Sequence, residues 1–243
     1  MFLSKVTLNP RNRMTYRLLG DLYAQHRFVM SAFPDNSEAK SDPAGETKGS
    51  GGGTQGQQGV LYRLDSLPQD NNRGQRVDAV CFLVQSQSRP DWTKTEGLHE
   101  DSICAHELRE WEPDFAEGRH FRFRLRASPT VCQVQRDADG TRLKPKREGL
   151  LTEDAQRDWL VRTAERVGFD VAPAAILITP QPRRTGQTPK AAGAARGQAI
   201  TCNTVDYDGA LVVRDAAQFA AALREGVGRG KAWGCGLLSL ARA

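Results

Sequence analysis

Gly226-Val227-Gly228-Arg229-Gly230-Lys231-Ala232-Trp233-Gly234-Cys235-Gly236-Leu237-Leu238-Ser239-Leu240 lies near the end of the chain, between two regular patterns. Residues 215–225 before it read as a helix. Leu237 and Leu238 after it open an apolar run that reads as a last strand. A helix, a glycine-rich turn and a closing strand make an α+β ending. Five glycines within eleven residues leave the backbone amides of this turn unshielded. Glycine accepts φ > 0 and lets a ligand come close to the main chain. Successive exposed N–H groups form an anion-binding concavity, and Arg229 and Lys231 add positive charge. A phosphate is the expected guest. The competing reading is a tight turn whose glycines serve sterics alone.

Two common phosphate loops do not fit. A Walker A loop needs four residues between its first glycine and the Gly-Lys pair, then Ser or Thr. Here three residues separate Gly226 from Gly230, and Ala232 follows Lys231. A dinucleotide fingerprint follows a strand and opens a helix, the reverse of this order.

Working outward, 243 residues suffice for one large domain or two small ones. Mean hydropathy is −0.55. No apolar run approaches bilayer length and no signal-peptide pattern opens the chain. A net charge of +5 favours a polyanionic partner. Five scattered cysteines are an odd number, and without an export signal they read as reduced thiols in a cytoplasmic protein.

Residues 3–8 alternate as a strand, and 11–19 form a basic helical stretch. Asp21 is a good N-cap for a helix over 22–33. Leu22, Val29 and Phe33 form its buried stripe. Tyr23, His26 and Met30 share an adjacent face, so His26 flanks the stripe and can reach a cleft. Residues 35–59 are rich in Ser, Gly, Pro and Gln and read as a flexible insertion. Residues 60–64 and 77–85 read as strands, while 98–112 is ambiguous. His99, Cys104 and His106 match no strong zinc pattern and lack a fourth ligand, so no metal site is expected.

In 121–125, Phe121, Phe123 and Leu125 alternate with Arg122, Arg124 and Arg126. This is a strand with an apolar face for the core and a guanidinium face for a phosphate backbone, or a solvated edge strand blunted by charge. Lys144, Lys146 and Arg147 extend the basic character. A helix begins near Thr152 and closes at Gly168, followed by a strand over 174–179. Residues 180–198, with Arg183, Arg184, Lys190 and Arg196 and no acid, read as a long hairpin or loop. It either orders on a polyanion or stays solvated. Residues 200–205 and 210–213 read as strands flanking an Asp208-Gly209 hairpin turn. The order of elements suits an α+β fold.

Residues 226–239, with Trp233 and the Gly234-Cys235-Gly236-Leu237-Leu238-Ser239 ending, resemble the C-terminal glycine-rich motif of the CasE family. These are the CRISPR repeat-RNA endoribonucleases of the type I-E Cascade complex, in the RAMP superfamily. The N-terminal residues 2–10, then Leu22-Tyr23-Ala24-Gln25-His26-Arg27, and the middle stretch 121–129 agree with it. The three matches span nearly the whole chain. The resemblance implies two tandem ferredoxin-like domains, here divided as 1–126 and 127–243. It places Tyr23 and His26 on the family's tyrosine and catalytic histidine.

It also implies a substrate, the CRISPR precursor transcript, cut without metal or cofactor at the 3′ base of a repeat stem-loop. The product carries a 2′,3′-cyclic phosphate, and the guide RNA is kept within Cascade. Histidine suits acid or base work at neutral pH. Arg27, Lys231 and the amides around Gly228, Arg229 and Gly230 are expected to hold charge. Some members carry a lysine about one turn after the histidine, where Met30 and Ser31 stand here. Another cation substitutes, or the rate is lower. The rival readings are a non-catalytic RNA-binding subunit of the same complex, a metal-dependent nuclease and a phosphate-binding metabolic enzyme. Set against the resemblance, a lone histidine on a helix flank is more often a packed or surface residue.

Overall fold

Phe2, Val6 and Leu8 fall on one face of the strand Phe2–Leu8, β1, and Val6 and Leu8 are fully buried. The computed structural model describes residues 1–33, 59–70, 76–133, 139, 146–189 and 197–242. The chain divides into two compact units. The first comprises Met1–Glu112, Thr185–Ile200 and Lys231–Gly234; the second comprises Pro113–Arg184, Thr201–Gly230 and Cys235–Ala243. The expected insertion at 35–59 lies almost wholly outside the described residues.

In the first unit β1 is followed by α1 (Arg13–Gly20), α2 (Leu22–Met30), β2 (Leu61–Asp70), β3 (Arg76–Ser86), α3 (Trp92–Leu98) and β4 (Ile103–Glu110). The sheet is antiparallel with order β2-β3-β1-β4. The ambiguous 98–112 stretch thus holds an edge strand, paired to β1 with Val6 opposite His106. Asn12 caps α1 by accepting from the Met14 amide. Asp21 caps α2 by accepting from the amides of Tyr23 and Ala24. Leu22, Val29 and Phe33 are buried as the stripe requires, although α2 ends at Met30 and Phe33 sits in the turn beyond. Phe28 stacks on Phe82 at 5.5 Å inside the core that also holds Val6, Leu18, Tyr62 and Trp92. Each such side chain contributes roughly 1.5–3 kcal/mol on burial.

The second unit holds β5 (His120–Ala127), β6 (Thr130–Gln133), β7 (Lys146–Gly149), α4 (Glu153–Arg166), β8 (Phe169–Val171) and β9 (Leu177–Pro180). Next along the chain come β10 (Arg184–Gln187) and β11 (Ala199–Cys202), which pair as a ribbon within which Thr185–Ile200 belongs to the first unit. The second unit resumes with β12 (Val205–Val213), α5 (Ala216–Glu225) and β13 (Leu238–Arg242). Its antiparallel sheet runs β13-β5-β12-β8, with β9 also on β12. Phe169 packs on Phe219 at 5.6 Å beneath it.

Three expectations change. The 121–125 strand, expected to close the first domain at residue 126, instead pairs with β12 and β13, so the second unit begins at Pro113. Asp208-Gly209 is not a hairpin turn, because β12 runs straight through it. There Asp208 pairs across the ladder with Arg124, and a Cβ on Gly209 would lie 3.1 Å from the Phe123 ring. That glycine answers to ring packing. Finally, 174–179 opens as a 3-10 turn, Pro173–Ala175, before β9 begins. Among the described residues no helix is long and apolar enough to cross a membrane.

Candidate active site

Asp21 starts α2 abruptly, and this fixes which way Tyr23 and His26 face. Both are half-buried, beside the fully buried Leu22 and Val29. Their rings lie 6.4 Å apart, tilted by 46°. The imidazole also meets Trp233, 5.8 Å away with the rings edge-on. Trp233 belongs to a 3-10 turn, Lys231–Trp233, that folds with the first unit. The Tyr62 hydroxyl, rising from the buried part of β2, donates to the Ala232 carbonyl at 2.8 Å and pins that turn. Gly186 of β10 passes so close to the start of α2 that a Cβ would lie 2.9 Å from the Tyr23 nitrogen. No side chain fits there without displacing the cap.

Burial holds the His26 imidazole below its ordinary pKa, and the neighbouring Arg27 guanidinium adds to the effect. His26 is therefore neutral at neutral pH and available to accept a proton. His99 stacks on Phe28 at 5.6 Å, and burial followed by Arg17 and Arg27 depresses its pKa too. Arg27 is exposed.

All five glycines of the 226–236 turn have positive φ, from 75° to 87°. The steric reading therefore accounts for them, most sharply at Gly228, where a Cβ would lie 3.2 Å from the Trp159 ring. Several amides are used internally: Val227 donates to Gly236 O, Cys235 to Gly230 O and Gly236 to Arg126 O. Gly228, Arg229 and Gly230 fold with the second unit, and Arg229 is exposed.

The guanidinium row on β5 is not uniform. Arg122 is exposed. Arg124 is paired to Asp208 with both carboxylate oxygens engaged, at 2.7 and 3.2 Å. Arg126 is buried and grips Asp206 through two bonds of 2.6 and 2.7 Å. Its guanidinium is engaged inside the protein. Arg147 on β7 and Arg183 are exposed. Arg184 is half-buried beside the Cys202 thiol, whose pKa falls to about 7, mainly through the hydrogen bond from Cys235. Lys144, Lys190 and Arg196 lie outside the described residues, as does the side chain of Lys146. Sequence reasoning assigned Trp233 no role; a lone aromatic inside a glycine-rich turn was the available signal.

The model of a family described as CRISPR associated protein matches residues 1–242. The CRISPR-associated endoribonuclease Cse3 of Thermus thermophilus is 30% identical over 246 residues, covering 99% of this chain and 100% of that one. The CRISPR system Cascade subunit CasE of Escherichia coli is 34% identical over 227 residues, covering 91% and 92%. Among solved structures, a CRISPR endoribonuclease Cse3 bound to 19 nt RNA superposes with a TM-score of 0.68 at 30% identity, covering 99% and 100% of the two chains. With its helix-borne Tyr23 and His26 and its glycine-rich C-terminal turn, this chain belongs to the CRISPR-associated protein family of Cse3 and CasE.

Proposed function

We propose that the chain is an endoribonuclease that cuts CRISPR precursor RNA at the 3′ base of the repeat stem-loop without a metal ion. It then retains the guide RNA as a subunit of a Cascade complex. The observation that carries this is the imidazole of His26, half-buried and in ring contact with both Tyr23 and Trp233, with its pKa depressed. The names of the relatives and the RNA in the similar structure support the substrate class. The element order of each unit and the sheet order β2-β3-β1-β4, repeated as β13-β5-β12-β8 read from the other edge, support two tandem ferredoxin-like domains. The first carries His26 and Lys231–Gly234; the second carries the rest of the glycine-rich loop and the basic strands.

In the reaction the neutral imidazole takes the proton of the ribose 2′-hydroxyl. The 2′-oxygen attacks the adjacent phosphorus, the bond to the 5′-oxygen breaks, and that oxygen collects a proton. The products are a 2′,3′-cyclic phosphate and a 5′-hydroxyl. Tyr23 orients the phosphate or the ribose. Arg27 and Lys231 offset charge on the phosphorane, and the amides around Gly228, Arg229 and Gly230 bind an RNA phosphate. Arg122, Arg147, Arg183 and the cations at 144, 146, 190 and 196 hold the backbone of an A-form stem, which is read by shape and phosphates.

The test is a labelled repeat hairpin incubated with the protein, with and without excess chelator. His26→Ala should slow cleavage by roughly 10²–10⁴-fold and leave binding unchanged. Undiminished cleavage by that variant would rule out the His26 mechanism. Cleavage is expected to survive the chelator; its loss would move the reading to a metal-dependent nuclease.

A further inference from the structure

Helix α1 presents a face that this reaction does not use. Thr15 and Leu18 are buried against the core, which turns Arg13, Tyr16 and Arg17 outward. Tyr16 is 66% exposed, the most exposed aromatic ring among the large hydrophobic residues of the described chain. Arg13 lies one turn before it on the same face. The helix sequence, Arg13-Met14-Thr15-Tyr16-Arg17-Leu18-Leu19-Gly20, contains no acid.

The face is close in the chain to His26. Only Asp21 separates α1 from α2, and its carboxylate is held in the α2 cap. The turn after α3 is tied to the start of α1, with Asn12 Nδ2 donating to Glu100 O at 2.8 Å and Asn9 Nδ2 to Asp101 O at 3.0 Å. His99 in that turn feels both Arg17 from α1 and Arg27 from α2, so guanidiniums from the two helices share one neighbourhood. Arg11, Arg13, Arg17 and Arg27 are exposed, as are the two carboxylates of that turn, Glu100 and Asp101.

A solvent-exposed phenol set among guanidiniums fits unpaired nucleotides. Every unstacked base offers a π-face for an aromatic ring, while arginine takes the adjoining phosphates. A paired stem keeps its bases stacked inside and has none to offer. We propose that the Arg13, Tyr16 and Arg17 face of α1 binds single-stranded RNA flanking the repeat hairpin, with Tyr16 stacking on one base. This rests on the RNA-cleaving reading above and extends it from the hairpin to its flank.

Two RNAs test it, a repeat hairpin with single-stranded flanks and the bare hairpin, each with a 2′-deoxy scissile nucleotide so that neither is cut. Tyr16→Ala should weaken binding of the flanked RNA by roughly 5- to 100-fold and leave the bare hairpin unaffected. Tyr16→Phe should retain wild-type affinity, because it keeps the ring. Arg13→Ala with Arg17→Ala should reduce the salt slope for the flanked RNA by about 1.4, two phosphates at the single-strand value. If Tyr16→Ala binds the flanked RNA as tightly as wild type, the proposal is overturned and the face is left for a protein partner. That result would not touch the RNA-cleaving reading, whose own failure is a wild-type protein that binds neither RNA.

Discussion

Arg124 and Arg126 stand two residues apart on β5 and pair with Asp208 and Asp206, also two apart on β12, yet the pairs differ in weight. The Arg126–Asp206 side chains are each 10% exposed, whereas those of Arg124 and Asp208 are 44% and 27% exposed. Removing one partner of a buried pair strands the other charge, so Asp206→Ala should cost about 3–5 kcal/mol. Asp208→Ala should cost at most about 1 kcal/mol. Denaturant melts of the two variants, expected to differ severalfold, check this; equal losses would refute it. His26 makes a prediction of opposite kind. Burial and then Arg27 lower its pKa, so the imidazole is neutral above a value that lies below 6.5. A base of this kind works fully above its pKa and fails as pH drops through it. Single-turnover cleavage should therefore hold level near neutrality and fall on acidification. A rate that instead falls as pH rises through that range would assign His26 to the acid step. The unfolded chain binds this proton more readily, so acidification below 6.5 also costs stability, and His26→Ala should remove that part of the slope.

At the level of elements, α2 was legible because two local signals agreed, a capping aspartate and an apolar stripe, and the structure keeps both. The glycine-rich turn was legible as a turn for the same reason, lying between a capped helix and an apolar run. β4 was not legible. It is an edge strand with only Ile103 buried, so it shows no alternation to read. β12 misleads because Asp-Gly is a strong hairpin signal, and only a partner 84 residues away, Arg124, shows that Asp208 sits mid-strand. The turn's glycines supply a test at this scale. Gly228 combines φ of 80° with a Cβ position 3.2 Å from Trp159. Gly228→Ala should cost about 1–3 kcal/mol in strain, whereas Gly20→Ala, at a position with open space around it, should not. Thermal melts that rank the two the other way would contradict this account.

Taken whole, the molecule carries 34 basic against 29 acidic side chains, an excess too small to name a partner by itself. The distribution matters more, and only half of it can be read along the chain. The arginine row was visible, but the aspartates that neutralise part of it are distant in sequence. His26 was visible through its spacing from Tyr23, while Trp233, at the far end of the chain, joins it only on folding. Salt dependence reads this distribution directly. With about six phosphates neutralised, repeat-hairpin affinity should fall roughly 10³-fold between about 50 and 200 mM salt. Each phosphate-bound cation contributes about 0.7–0.9 to that log–log slope. Arg122→Ala should lower the slope by one such increment, because Arg122 is exposed on the sheet face. The double variant Arg126→Met with Asp206→Leu should leave it unchanged, because those charges already satisfy one another inside the protein. Replacing the two together also avoids stranding a buried charge, so the fold should persist. A slope that drops in the double variant and not in Arg122→Ala would mean that the buried guanidinium turns outward when RNA binds.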